Sequence, residues 1–116
     1  MSVLIVDDHP SFRASARRLL EAEGFDVVGE AGDGQSAIAA VQQLQPDLVI
    51  LDVQLPDLDG FEVSARLAAL GLRCAVVLTS SRNPAEYGSR FTEPTVRGFV
   101  PKAELSGAVL TDLLSA

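Results

Sequence analysis

Short apolar runs alternate along the chain with segments whose apolar residues recur every three or four positions. The runs predict buried strands, and the recurring segments predict amphipathic helices that pack against them. The predicted strands are Val3–Val6, Phe25–Val28, Leu48–Leu51, Ala75–Leu78 and Phe99–Val100. The predicted helices are Phe12–Glu23, Ser36–Leu44, Phe61–Leu70 and Leu105–Leu114. This alternation predicts an α/β fold in which helices cover both faces of a parallel sheet.

The stretch between the fourth and fifth strands departs from this pattern. It has no sustained apolar stripe, and it contains Pro84, Gly88 and Pro94. Proline lacks the N–H that a helix interior needs, and glycine costs about 1 kcal/mol relative to alanine there. We therefore expect no regular helix over Ser81–Arg97, apart from a short turn around Pro84–Tyr87. The fourth helix of a regular alternation would then be irregular or missing.

Composition narrows the class of protein. A chain of 116 residues with 47% hydrophobic content is one domain, which we assign to residues 1–116. The net charge of −7 argues against direct binding of nucleic acid through a basic surface. A single cysteine indicates no disulfide framework. The N-terminus has no basic and apolar leader that would indicate secretion, and no apolar run is long enough to span a membrane. We expect a cytoplasmic protein.

Carboxylates stand where two of the predicted strands end. Asp7 and Asp8 follow the first apolar run, and Asp52 follows the third. In open α/β sheets the ligand crevice lies at the carboxyl edge, so these side chains converge if strands one and three are neighbours. A single such Asp usually caps the next helix or turn, but three at two strand ends repel one another and favour a divalent cation such as Mg²⁺.

The fourth and fifth strands also end in polar groups. Thr79 closes the fourth apolar run and Lys102 follows the fifth. A hydroxyl and an ammonium beside a metal and a carboxylate can hold the oxygens of a transferring phosphoryl group, and an Asp can accept it covalently. Taken singly, Thr79 is typical of a strand-favouring residue and Lys102 of a solvated surface lysine. His9, alone at a strand–helix junction, is typical of a surface or capping residue, and we leave it out of the site.

From Val3 to Leu114 the sequence resembles the response regulator receiver domain of two-component signalling. The resemblance rests on "VDD", "LDVQLPDLDG", "LTS" and "GFVPK", which occur in that order. The "DDHP" start and the Lys-Ala-Glu ending are most similar to receivers of regulators that often carry a helix-turn-helix output domain. The implied fold is a flavodoxin-like, doubly wound sheet of five parallel strands in the order 2-1-3-4-5.

The resemblance implies a phosphoacceptor and a metal site. Asp52 would take a phosphoryl group from a histidine kinase or a phosphotransfer protein of a phosphorelay. Asp8 and Asp52 would bind Mg²⁺ directly, together with the backbone carbonyl of Gln54, and Asp7 would act mainly through water. Phosphorylation and dephosphorylation would be partly self-catalysed, so whether the domain is an enzyme is a matter of definition.

The resemblance also implies a switch. Thr79 would donate a hydrogen bond to the phosphoryl group, Lys102 would pair with that group or with Asp52, and the aromatic switch residue Phe99 would rotate inward with Thr79. The family often has a proline after the lysine, whereas Ala103 stands here. The partners would be the kinase, a second copy in a possible homodimer, and either a downstream protein or an output domain removed after Ala116.

Two other functions remain as alternatives. A degenerate receiver would serve as an interaction module whose output is independent of phosphate. An Asp-nucleophile phosphatase is disfavoured, because its usual second carboxylate would fall at Gln54, which cannot act as a general acid.

Overall fold

A computed structural model describes residues 1–81 and 96–115 of the chain. The strands are β1 (Ser2–Val6), β2 (Asp26–Ala31), β3 (Leu48–Asp52), β4 (Ala75–Ser80) and β5 (Val96–Pro101). The helices are α1 (Pro10–Ala22), α2 (Gly34–Leu44), α3 (Gly60–Ala69) and α4 (Gly107–Ser115), and a 3-10 turn spans Lys102–Glu104. Within these described ranges no helix has the length and apolar character that crossing a bilayer requires.

The strands form one parallel sheet in the order β2-β1-β3-β4-β5. This confirms the predicted flavodoxin-like order. β1 and β3 are neighbours, and β3 pairs with β4 so that Asp52 stands opposite Thr79. The chain order reverses between β1 and β3, and a crevice at the carboxyl edge of the sheet is expected at such a point.

Two hydrophobic clusters hold the sheet between its helices. Every residue of β3 is buried, and successive residues alternate between the two clusters, which is why this strand reads as a continuous apolar run. Helices α2 and α3 contribute Ala37, Val41, Val63 and Leu67 to one cluster, and α1 and α4 contribute Ala16, Leu20 and Leu110 to the other. The apolar stripes predicted from the sequence are largely the faces that these helices bury, but Leu44 and Leu70, at the ends of two stripes, are exposed.

Several predicted boundaries are wrong, among them the end of β2, which lies at Ala31 and not at Val28. Val96 and Arg97, which we expected to be irregular, belong to β5, because Val96 pairs with Val76 in the sheet. The last helix begins at Gly107 and not at Leu105, because the Ser106 hydroxyl accepts a hydrogen bond from the Val109 N–H at 3.2 Å and caps the helix there. The rest of the expected irregular stretch, residues 82–95, lies outside the described residues and stays a prediction.

Candidate functional site

The carboxyl ends of β1, β3 and β4 bring three polar side chains to one side of the sheet. Side chains alternate along a strand, and the residues two positions before Asp7, Asp52 and Thr79 all belong to the cluster beneath α1 and α4. The three residues therefore face that side. All three are buried, with Asp7 and Thr79 fully inaccessible to solvent. Two carboxylates hidden from water need compensation by nearby positive charge or by hydrogen bonds.

Lys102 supplies part of that compensation. Its ammonium Nζ lies 2.6 Å from Asp7 Oδ2 and 3.2 Å from Asp52 Oδ2, so that it bridges the two buried carboxylates. The side chain reaches them over the ring of Phe12 on α1, whose centroid is 4.9 Å from Nζ. Lys102 is itself the first residue of the 3-10 turn and Ala103 follows it, so the ammonium reaches the site without a proline at the next position.

The electrostatics of the site reflect burial and mutual repulsion. Burial raises the pKa of Asp52 above its ordinary value and the charge of Asp7 adds to the rise, while the Gln54 N–H and Lys102 oppose it. Burial alone would lower the pKa of Lys102, but the carboxylates of Asp7 and Asp52 outweigh that effect and hold the pKa above its ordinary value. Lys102 is therefore a cation at neutral pH.

The turn from β1 to α1 adds a third carboxylate and a histidine. Asp7 Oδ1 accepts a hydrogen bond from the backbone N–H of His9 at 2.8 Å, and His9 Nδ1 lies 3.1 Å from the same oxygen. His9 Nδ1 is also 3.0 Å from Asp8 Oδ1. Asp7, Asp8, His9 and Asp52 each offer one ligand atom, and these four atoms lie within 4.8 Å of one another. The structure thus brings His9 to the site from which we had left it out.

The loop after Asp52 is tightly folded against the strand end. The backbone N–H of Gln54 donates to Asp52 Oδ1 at 3.1 Å, and Gln54 forms an isolated antiparallel bridge with Asp59. The Gly60 N–H donates to the carbonyl of Val53 at 2.7 Å, so the first residue of α3 lies directly against the exit of β3. The backbone of Gln54 is thereby held beside the Asp52 carboxylate.

A family model for the response regulator receiver domain matches residues 3–113. The chain belongs to the response regulator receiver family. BvgA of Bordetella pertussis, named as a positive transcription regulator of virulence factors, is 42% identical to this receiver domain over 102 residues. That alignment covers 88% of the chain and 49% of BvgA, so the chain spans about half the length of this curated relative.

Solved structures agree with this assignment. The receiver domain of the response regulator NarL from Mycobacterium tuberculosis is 32% identical with a TM-score of 0.85, and the match covers 99% of this chain and 97% of that one. RcsB from Salmonella enterica, solved on promoter rprA with the phosphomimetic BeF₃⁻, is 26% identical with a TM-score of 0.82, over 99% and 96% of the two chains. The resemblance to receivers of transcription regulators is therefore confirmed.

The donor set of this receiver domain fits a magnesium ion. Asp7, Asp8 and Asp52 with the Lys102 ammonium leave two negative charges, which a divalent cation would neutralise. Carboxylate and carbonyl oxygens completed by water are the ligands that Mg²⁺ prefers. Receiver domains typically bind this ion at an acidic pocket, and Asp8 with Asp52 and the Gln54 backbone would hold it here.

Thr79 and Phe99, the pair assigned to the switch, lie on opposite faces of the sheet. Thr79 Oγ1 is buried and has no hydrogen-bond partner among the described residues. Phe99 is half-buried and packs against the cluster beneath α2 and α3, while its neighbour in register is Leu78 and not Thr79. Among the described residues, a coupled movement of the two side chains would therefore have to pass from one face of the sheet to the other.

Two contacts that brace the site of this receiver were not predicted from the sequence. Arg13 Nη1 donates to the backbone carbonyl of Asp7 at 2.6 Å, and Arg13 Nε donates to Glu30 on β2 at 3.2 Å. Asp57 accepts hydrogen bonds from the N–H groups of Gly34 and Gln35, at 2.7 and 3.0 Å, at the start of α2. A helix N-terminus favours a carboxylate, and these bonds lower the pKa of Asp57 below its ordinary value.

Proposed function

We propose that this receiver domain accepts a phosphoryl group on Asp52 from a histidine kinase or phosphotransfer protein and thereby switches a protein-interaction surface. The observation that carries the proposal is the buried Asp52 carboxylate, whose Oδ2 lies 3.2 Å from Lys102 Nζ at the carboxyl edge of the sheet. A buried carboxylate beside a second carboxylate is unfavourable in the resting protein. The presence of such a group at this edge supports a chemical role.

The transfer exchanges one phosphorus bond for another. The nitrogen–phosphorus bond of the donor breaks as a bond forms between an Asp52 carboxylate oxygen and phosphorus, and the donor imidazole keeps the electron pair. Asp52 must be ionised to attack, which Lys102 and the Gln54 N–H favour by stabilising the carboxylate. A magnesium ion, when bound, would offset the negative charge that accumulates between the phosphoryl group and the carboxylates.

Thr79 and Lys102 are suited to hold the product. The buried Thr79 hydroxyl, without a partner among the described residues, stands opposite Asp52 in the sheet register and would donate to a phosphoryl oxygen. Lys102 would move its ion pair from the Asp52 oxygen to the phosphoryl group. The new hydrogen bond from Thr79 would stabilise the phosphorylated form, because the buried hydroxyl then gains an acceptor. Phosphorylation would in this way shift the ends of β4 and β5 toward the conformation in which that hydrogen bond forms.

A mass measurement tests the proposal. Incubated with Mg²⁺ and a small acyl-phosphate donor, the wild type should gain one phosphoryl group that is labile to base, and Asp52→Asn should gain none. Thr79→Ala serves as a control, because it keeps the Asp52 carboxylate and removes only the hydroxyl that would donate to the phosphoryl group. Equal masses for wild type and Asp52→Asn would contradict the proposal, and an interaction module independent of phosphate would then be the better account.

The cation is tested separately by thermal unfolding. Mg²⁺ should raise the midpoint of unfolding of the wild type as its concentration passes the dissociation constant, because the ion binds the folded site and not the unfolded chain. At a concentration one hundred times the dissociation constant the gain is about 2.7 kcal/mol. Asp8→Ala should abolish the response, whereas Gln43→Ala on the exposed side of α2 should keep it. A wild-type midpoint that is the same in chelator and in Mg²⁺ would count against the site.

The output we propose is control of transcription. BvgA is named as a transcription regulator, and RcsB was solved on a promoter with a phosphomimetic. By analogy, phosphorylation of Asp52 would change the face formed by β4, β5 and α4, which a linked or separate output protein or a second receiver would recognise. Nucleic acid would be bound by that output protein and not by this acidic domain, and the location would be the cytoplasm, where bacterial promoters lie.

A further inference from the structure

The loop that leaves β3 is held both at its base and at its far end. At the base, Gln54 forms a bridge with Asp59, and the Gly60 N–H donates to the Val53 carbonyl at 2.7 Å. At the far end, the two carboxylate oxygens of Asp57 accept hydrogen bonds from the first two N–H groups of α2, at 2.7 and 3.0 Å. Asp57 therefore ties this loop to a helix that begins 23 positions earlier in the chain.

A second contact between the same loop and helix does not involve the Asp57 carboxylate. A Cβ on Gly34, the first residue of α2, would lie 2.9 Å from Leu58 Cβ and 3.1 Å from Val63 Cγ2. Leu58 Cβ is attached directly to the loop backbone, so a residue without a side chain is needed for the loop to lie this close. The loop thus fits the start of α2 by shape as well as by hydrogen bonds.

The helix has a cap of its own. Asp33 is the N-cap residue of α2, and its side chain accepts a hydrogen bond from the Ser36 N–H at 2.7 Å. A cap of this kind is the usual device that defines where a helix begins. What Asp57 adds is a connection between the helix and the loop, and its main consequence falls on the loop.

We propose that Asp57 is a positioning residue, which holds the backbone of Gln54 beside Asp52 by tying the loop to α2. The Gln54 N–H donates to Asp52 Oδ1 at 3.1 Å, and the Gln54 carbonyl belongs to the oxygen set that would take Mg²⁺. A loop that is held at both places has less conformational freedom to lose when the ion binds. The inference rests on the proposed function, because it names a residue that prepares the same site.

A titration of the folded protein with Mg²⁺ at one fixed pH tests the inference. Asp57→Ala should lower the Mg²⁺ affinity about tenfold, the lower end of the range for removing a group that orients a metal ligand. Asp57→Asn keeps an oxygen that can accept from one of the two N–H groups, so it should recover part of the loss. Asp33→Ala is the matched control, because it removes an equal charge from the start of the same helix. It should lower the midpoint of unfolding in chelator, as Asp57→Ala does, but leave the Mg²⁺ affinity unchanged.

Gly34→Ala displaces the loop while the charge and Asp57 stay as they are. Alanine is the better helix former, so its effect on α2 alone is favourable, whereas its Cβ would push Leu58 and the loop away. The Mg²⁺ affinity should fall in Gly34→Ala as it does in Asp57→Ala. The double variant should lose less than the product of the two separate losses, because both changes act on the same loop.

Hydrogen exchange gives a readout that does not depend on a variant. If the Asp57 contact favours Mg²⁺ binding, Mg²⁺ must favour that contact by the same factor. In the wild type, Mg²⁺ should therefore slow the exchange of the Gly34 and Gln35 amides, which donate to Asp57, more than that of the Ser36 amide, which donates to Asp33.

The outcomes separate this inference from the proposed function. Equal Mg²⁺ affinities of wild type and Asp57→Ala, an equal loss in Asp33→Ala, or a wild type without any Mg²⁺ response would overturn the inference. Phosphorylation of Asp52 in the wild type would still support the proposed function in that case. A wild type that is never phosphorylated, but loses Mg²⁺ affinity on Asp57→Ala and not on Asp33→Ala, would overturn only the proposed function.

Discussion

Lys102→Met should lower the free energy of unfolding at pH 7 by about 1–3 kcal/mol, the range for leaving a buried partner unsatisfied. The methionine keeps an apolar stem against Phe12 and removes only the ammonium, which lies 2.6 Å from Asp7 and 3.2 Å from Asp52. Both buried carboxylates would then lose their shared counter-charge. Denaturant unfolding of the two proteins in chelator measures the loss.

The loss should depend on pH in a defined direction. Without Lys102 the pKa of Asp52, already raised by burial, rises further, because a group that lowers it has gone. A carboxyl group with a raised pKa in the folded state favours folding below its unfolded pKa of about 4 and loses that contribution as the pH rises through the folded value. The difference in free energy of unfolding between wild type and Lys102→Met should therefore become smaller as the pH falls below neutrality. Since the pKa of Lys102 is itself raised, this difference should persist at alkaline pH up to at least about 10.

A double-mutant cycle provides the control for this prediction. Lys102→Met should be less damaging in an Asp52→Asn background, because one of the two charges that it leaves unpaired is absent. Mg²⁺ should also stabilise Lys102→Met more than wild type, since the ion replaces part of the missing positive charge. Equal losses in both backgrounds, with no difference in the Mg²⁺ response, would show that Lys102 contributes by packing and not by charge.

Gly60→Ala should destabilise the domain by about 3 kcal/mol, the upper end of the range for overpacking. A Cβ at this position would lie 2.6 Å from the carbonyl oxygen of Asp52 and 2.9 Å from Val53 Cα. These are backbone atoms of β3 and its exit, and they can move only if β3 or the start of α3 moves with them. Such a movement of the backbone would displace Asp52, which carries the buried carboxylate of the site.

The same substitution should therefore weaken metal binding as well as folding. We expect Gly60→Ala to lower both the midpoint of unfolding and the Mg²⁺-induced rise in that midpoint. Gly32→Ala is the matched control, because a Cβ there would have its nearest contact, Arg13 Nη1, at 3.4 Å. Gly60→Ala unfolding within about 0.5 kcal/mol of Gly32→Ala, the usual limit for a neutral surface change, would contradict the steric argument.

Sequence reasoning located the carboxylates better than the groups that surround them. Asp7, Asp8 and Asp52 stand where apolar runs end. The end of a buried strand can be recognised in the sequence, because a strand stops being apolar where it leaves the core. His9 was left out, since a single histidine carries no spacing signal. A histidine directly after two adjacent Asp residues at a strand end was the available sign, but only the backbone turn decides where its ring points.

The contacts that brace the site had no local signal at all. Asp57 reaches the start of α2 from 23 positions away, and Arg13 reaches Glu30 from 17 positions away. Nothing in the residues around Asp57 distinguishes it from an ordinary turn aspartate. Its partners are the first backbone N–H groups of α2, which are free because the helix begins there and which lie beside the loop after β3 only in three dimensions.

The sequence by itself determined the order and type of the elements, because the apolar period of each segment is fixed by the faces it must bury. It also determined the family and the acidic residues at the strand ends. Only the tertiary structure decided that β5 begins at Val96, that Phe99 and Thr79 lie on opposite faces of the sheet, and that Lys102 bridges Asp7 and Asp52. These features depend on strand register and on side chains that meet across the sheet, and such contacts between distant residues leave no periodic trace in the chain.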